Sequence, residues 1–237
     1  MGRIFQTRKA TMFKRYAKMA KQFTKIGREI VMAVKQGGPH PDLNPKLRIC
    51  IANAKAVNMP KVNVDAAIKR ASEKDTTNFE EIIYEGYGPY GVPVLVECAT
   101  DNPTRTVANL RVYFSRANGS LGTNGSVSFM FEHKGLFKIE AKGLDRDDAE
   151  MDLIDYGAEE LTWDDETNEL IVQVAFNDFG LMQNGLEEKK YNVTETIKTF
   201  IPTTTKEISE EEEIEFKKMI DKMEDDDDVM TVYHNIA

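Results

Sequence analysis

Apolar positions near the start of the chain recur at helical steps. Met12, Tyr16, Met19, Phe23, Ile26, Ile30 and Val34 follow one another at three- and four-residue intervals. That spacing predicts one long amphipathic helix over Thr11–Gln36. The run Gly37-Gly38-Pro39-His40-Pro41 ends it, because proline cannot continue a helix and glycine accepts a left-handed cap. Asn44-Pro45 reads as an N-cap followed by a first-turn proline, opening a second helix to about Val57 with Leu47, Ile51 and Ala54 inward. Asn58-Met59-Pro60 breaks it, and a third helix carries Val64, Ala67 and Ile68 to about Ala71. Three short-linked helices make a small bundle. Its large apolar residues are few, so its core is expected to be thin.

From Ser72 to Asn78 the chain is polar and aperiodic, and reads as a linker. Beyond it short β-rich runs alternate with helices. Strands are predicted at Glu81–Glu85, Val92–Ala99, Ser126–Glu132, Leu136–Ala141, Glu160–Trp163, Glu169–Ala175, Tyr191–Phe200 and Val229–His234. Helices are predicted at Pro103–Ala117, Asp145–Tyr156, Asp178–Glu187 and Glu207–Met223. From Leu136 to Phe200 the order is β-α-β-β-α-β, the ferredoxin-like arrangement. The flanking pieces, β-β-α-β before and α-β after, join into a second α+β unit of similar type. A ferredoxin-like unit starts and ends on neighbouring strands, so it splices readily into a host loop. The expected fold is therefore α+β with three domains. A basic helical domain spans 1–72, an interrupted α+β domain spans 79–133 and 202–237, and a ferredoxin-like domain is inserted at 134–201.

Charge changes the picture more than composition does. The 237 residues are 41% hydrophobic and 30% charged, enough apolar content for packed cores. No apolar run reaches the roughly 18 residues of a membrane span, and no apolar stretch follows the basic start as in a secretory signal. A cytoplasmic protein is expected. Residues 1–70 hold 16 Lys and Arg against three acids, a net +13, whereas the remainder holds 15 against 37, a net −22. The overall charge of −9 hides this division. A basic leader on an acidic body points to a polyanion partner for the leader alone.

Within the leader, Lys14, Lys18, Lys21, Lys25 and Arg28 recur at helical spacing on a different face from the apolar stripe. Long cations on one accessible face are what phosphate contact requires. Arg15, with Arg3, Arg8 and Lys9 ahead of the helix, extends the patch, as do Lys55, Lys61, Lys69 and Arg70 on the other two helices. The same face lacks the bulky apolar wedge of a membrane-surface helix.

Other motifs argue mainly against alternatives. Gly86-Tyr87-Gly88-Pro89-Tyr90-Gly91 matches a dinucleotide fingerprint, yet a strand follows it where that site needs a helix N-terminus. It reads either as a tight inter-strand turn or as a glycine- and tyrosine-rich loop meeting RNA, with Tyr84, Tyr87 and Tyr90 as stacking candidates. His40, His133 and His234 lie in three separate segments and suggest no nucleophile–base set. Each reads as a surface or edge residue, and Trp163 as core. Asp225–Asp228 lacks the spacing of a calcium loop and reads as a solvated turn, while Glu210–Glu213 opens a helix. Cys50 and Cys98, far apart in apolar patterns, read as small buried hydrophobes. No enzyme chemistry, metal or cofactor is expected.

Glu85-Gly86-Tyr87-Gly88-Pro89 with Val92–Glu97 resembles the signature of the YebC/PmpR family, which includes the mitochondrial translational activator of cytochrome oxidase. Ala54–Lys61 with Ala67–Arg70, Thr100–Asn102 with Arg105–Ala108, Gly125–Phe131 and Val232–Asn235 are similar again. The resemblance covers nearly the whole chain. It implies a helical domain and two α+β domains, the third inserted in the second. It also implies a non-enzymatic regulator of gene expression, either a DNA-binding transcription regulator or a ribosome-associated translation factor. The expected partner is DNA or ribosomal RNA, gripped by the basic helices. A lean towards RNA comes from the near-pure Lys and Arg face, which reads shape and charge rather than base edges. The rival readings are a small-molecule-binding module and a protein-interaction module, both using the acidic α+β domains.

Overall fold

The computed structural model describes residues 3–73 and 78–237, with side chains from Met19 onward. The chain forms two compact units, Met1–Glu80 and Glu81–Ala237.

The first unit is helical. Helix α1 spans Arg3–Gly37, α2 Pro45–Ala56 and α3 Lys61–Ser72. Gly38 ends α1 at φ +86°, where a side chain would be strained, and its N–H returns to the Val34 carbonyl at 2.7 Å. Asn44 caps α2 as its Asn-Pro sequence predicts, accepting from the Leu47 N–H at 3.1 Å. Its amide also donates to the Ala33 and Gly38 carbonyls, so one buried side chain ties the end of α1 to the start of α2. The core gathers Ile26, Ile30, Val34, Leu47, Ala54, Val64 and Ala67. Its alanines make it the thin core the sequence predicts. The expected linker falls partly on residues 74–77, which lie outside the described residues; Asn78 and Phe79 after it attach to the helical unit, Phe79 against its core.

The second unit holds two four-stranded sheets. The first contains β1 (Glu80–Tyr87), β2 (Pro93–Thr100), β3 (Ser120–Leu121) and β8 (Val229–His234), in the order β3-β1-β2-β8. The second contains β4 (Phe131–Glu140), β5 (Ala158–Asp164), β6 (Glu169–Ala175) and β7 (Val193–Pro202), in the order β5-β6-β4-β7 with every pair antiparallel. This is the ferredoxin-like order, and β4–β7 fall between β3 and β8 along the chain. The first sheet repeats that spatial order, but the strand that ordinarily precedes the second helix comes first in sequence.

Helices α4 (Pro103–Arg116) and α7 (Glu210–Glu224) cover one face of the first sheet, burying Val94, Val96 and Cys98 against Leu110, Phe114, Phe216 and Met219. Helices α5 (Arg146–Ile154) and α6 (Phe179–Glu188) serve the second sheet, where the Phe137 and Phe179 rings lie 4.9 Å apart. The other face of β2 places Leu95 with Val127, Phe131, Phe200 and Tyr233, so the start of β4 and the end of β7 pack behind the first sheet.

Three expectations change in these elements. Helix α1 begins at Arg3 rather than Thr11, so Arg3, Arg8 and Lys9 lie within the helix and not ahead of it. The strand read at Ser126–Glu132 is not separate: Ser128–Met130 is a 3-10 turn, and β4 runs unbroken from Phe131. The fourth strand of the first sheet is instead the two-residue β3, paired to Gly86 and Tyr87. A pair that short leaves no alternation to read. The turn at Asp225–Asp228 is only partly solvated. Asp228 is 3% exposed and accepts from Thr106 Oγ1 at 2.9 Å, Thr100 Oγ1 at 3.2 Å and the Arg105 guanidinium at 2.7 Å. Asp226 accepts from Asn109 and Tyr113.

Candidate nucleic-acid interface

Lys21, Lys25 and Arg28 sit at i, i+4 and i+7 on α1, all half-buried, while Ile26 and Ile30 turn into the core. The cationic row and the apolar row therefore occupy different sides of one helix, as the periodicity predicts. Arg3, Arg8, Lys9, Lys14, Arg15 and Lys18 precede Met19, and their side chains lie outside the described residues. On the other helices Lys55 and Lys61 flank the α2–α3 turn, whose Asn58 adopts φ +57°. Lys69 and Arg70 stand in the last turn of α3, where cations also favour the helix dipole. All four are exposed.

Arg28 and Arg70, 42 positions apart in sequence, both line a cleft of about 370 Å³ between α1 and α3. Phe23, Val31, Met59, Ala67 and Phe79 give it apolar walls, and Thr24 and Asn63 add polar groups. The Arg28 guanidinium lies over the Phe79 ring, 4.9 Å from its centroid. Asn63 and Phe79 were not legible as site residues, because an asparagine in a helix and a lone aromatic after a linker carry no motif.

The Gly86–Gly91 loop is placed by packing. A Cβ on Gly86 would lie 2.6 Å from the Ser120 carbonyl, and one on Gly88 would lie 2.9 Å from Phe216 and Met219 of α7. Pro89 is buried, and Tyr90 takes φ +62°. Each tyrosine hydroxyl has an internal acceptor: the Pro103 carbonyl for Tyr84, the Ser126 carbonyl for Tyr87 and the Glu215 carboxylate for Tyr90. Lys206 in turn donates to the Tyr90 carbonyl. In this loop Tyr90 and Gly91 are exposed and Tyr87 is half-buried.

Glu85, at the head of the same segment, is 3% exposed. Its carboxylate accepts from the backbone N–H groups of Gly125 and Val127 at 2.7 Å and Ser128 at 2.9 Å. Burial works to raise its pKa, but these donors outweigh it and hold the group below the ordinary value. Glu97 behaves oppositely. Burial pushes its carboxyl up, against a hydrogen bond from the Tyr233 hydroxyl at 3.0 Å. His133 is sandwiched between Phe176 and Phe200, centroids 3.6 and 4.3 Å away, and is half-buried on the interior strand β4 rather than the surface or edge residue expected. Burial, helped by Lys198, lowers its pKa. His40 is exposed, and His234 packs edge-on against Phe216. Among the described residues no three His, Cys, Asp or Glu cluster to hold a metal. None of their helices is long and apolar enough to cross a membrane.

Residues 3–74 match the model of the TACO1/YebC protein N-terminal domain, and residues 79–236 match that of the TACO1/YebC second and third domain. The chain belongs to the TACO1/YebC family. Relatives named "probable transcriptional regulatory protein" extend over its full length. One from Cytophaga hutchinsonii is 52% identical over 237 residues, covering 100% of this chain and 99% of the relative. One from Anaeromyxobacter dehalogenans is 48% identical over 240 residues, covering all of both. The crystal structure of a conserved hypothetical protein, Aq1575 from Aquifex aeolicus, superposes with a TM-score of 0.75 at 35% identity, over 93% of this chain and 91% of that one. The Glu85–Pro89 segment that carries the resemblance is thus a packing motif in this TACO1/YebC chain, pinned at Glu85 and seated on α7.

Proposed function

We propose that this chain is a non-enzymatic, cytoplasmic regulator of gene expression that grips a nucleic acid through its helical unit. The observation that carries this reading is the charge division: a net +13 within the first 70 residues of a protein whose total is −9. Lys21, Lys25 and Arg28 on α1, with Lys55, Lys61, Lys69 and Arg70 on α2 and α3, supply phosphate contacts, joined by the cations ahead of Met19. The acidic second unit repels polyanions, which confines docking to the helices and suppresses wrong orientations. The names of the full-length relatives support regulation of transcription.

RNA, ribosomal RNA above all, is the favoured polyanion. The cationic face is almost purely Lys and Arg and lacks the clustered Asn, Gln and Arg of a major-groove reader. In this reading the Gly86–Gly91 loop offers a contact chiefly through the exposed Tyr90 and Gly91, while Gly88 seats it on α7.

A salt-series titration of the full chain against purified ribosomes and against mixed duplex DNA of equal phosphate content tests the assignment. The expected result is ribosome binding that persists at physiological salt while DNA affinity collapses. Tight, sequence-selective duplex binding at that salt would move the protein to the transcription-factor role, and no binding to either would refute the reading.

A further inference from the structure

We propose that the α1–α3 cleft receives a single unpaired nucleotide of a bound RNA, with its base between Phe79 and Met59 and its phosphate on Arg28 and Arg70. The inference rests on the nucleic-acid reading above and names what the helical unit recognises beyond charge.

Three observations carry it. The volume, about 370 Å³, lies near the lower end of the roughly 300–1,000 Å³ common for small-ligand sites. The walls divide as a nucleotide does: apolar and aromatic side chains at Phe23, Met59 and Phe79 for a planar base, and the Arg28 and Arg70 side chains on the same lining for an anion. The Arg28–Phe79 pair, 4.9 Å from guanidinium carbon to ring centroid, joins a cation and an aromatic ring, the two kinds of group on which splayed RNA bases rest. The Asn63 amide, a donor and an acceptor on an exposed part of α3, is placed to meet the edge of that base.

Position on α1 adds continuity. At 3.6 residues per turn, Thr24, Gly27 and Val31 of the cleft lie about a quarter turn from Lys21 and Lys25, and Arg28 stands between the two faces. A backbone tracked by the lysine row therefore arrives at Arg28, where one nucleotide leaves the row and enters the cleft. Duplex nucleic acid offers no such unit, because its bases are stacked and paired. The cleft thus distinguishes RNA with bulges or loops from uniform duplex.

The test compares full-length protein binding to an RNA duplex and to the same duplex carrying one bulged 2-aminopurine. The bulged RNA is expected to bind at least about fivefold more tightly, with a change in 2-aminopurine fluorescence on binding. Ala66 is an exposed residue lining the cleft, so Ala66→Phe fills it without touching the cationic row. This variant should lose the bulge preference and keep its duplex affinity. Asn63→Ala, also at an exposed position, should weaken the preference as well, and unchanged thermal melts confirm that both variants fold. Equal affinity of the wild-type protein for the two RNAs, or a preference that survives Ala66→Phe, overturns the inference while leaving phosphate binding intact. A failure to bind either RNA overturns both this and the functional reading. A melting temperature raised by adenosine monophosphate, with no bulge preference, assigns the cleft to free nucleotides and overturns the RNA assignment.

Discussion

A buried carboxylate that receives three backbone N–H groups is costly to replace. Glu85→Gln keeps the volume but turns an amide NH2 towards N–H donors, so a loss of about 2–3 kcal/mol is expected in the denaturation midpoint of the second unit. Because the folded pKa of Glu85 lies below its ordinary 4.5, its stabilisation is complete above that value and is lost as pH falls through the lowered one. Glu97 has the opposite sign. Its raised pKa means that ionisation opposes folding once pH rises above 4.5 and through the folded value. Glu97→Gln should therefore stabilise the protein at pH 7, and the gain should vanish as pH falls towards 4.5, in melts recorded across that range. None of this was legible in the sequence. Glu85 and Glu97 are two acids among 40, and only the partners brought to them from residues 125–128 and 233 separate them.

Elements were legible where local chemistry is strong. Asn44-Pro45 and Asn102-Pro103 start α2 and α4 with the side-chain caps those pairs encode, whereas the Ser209–Glu212 capping box that starts α7 at Glu210 rather than Glu207 was not read. Strands β6 and β8 fall on the residues their alternation predicts. The two-residue β3 was hidden, because its place is fixed by pairing to Gly86 and Tyr87 rather than by its own pattern. The glycines of the Gly86–Gly91 loop were legible as turn residues, but their contact with α7 was not, since Phe216 and Met219 lie some 130 positions away. That contact makes a prediction. In Gly88→Ala the new methyl meets Phe216 and Met219 at 2.9 Å, and a loss of about 1–3 kcal/mol is expected from overpacking, again read from denaturation midpoints. Nucleic-acid affinity should be unchanged in the same variant.

At the scale of the whole molecule the division of charge was fully legible, because it is a property of composition along the chain. So was the order of the second sheet, since β-α-β-β-α-β admits few antiparallel solutions, whereas the first sheet was legible only in part because β3 was missed. The cleft at Arg28 and Arg70 was not, because it needs α1, α3 and Phe79 brought together. The central claim is that the helical unit holds its partner by phosphate contact through the α1 lysine row. It is tested most directly by the salt dependence of RNA binding in the full chain and in a variant with Lys14, Lys18, Lys21 and Lys25 changed to Glu. With about five cations engaged on a duplex, the slope of log affinity against log salt should be roughly −4 to −5. The variant should keep its thermal melt and lose detectable binding. A variant that binds with the same slope and the same affinity at physiological salt would contradict the account.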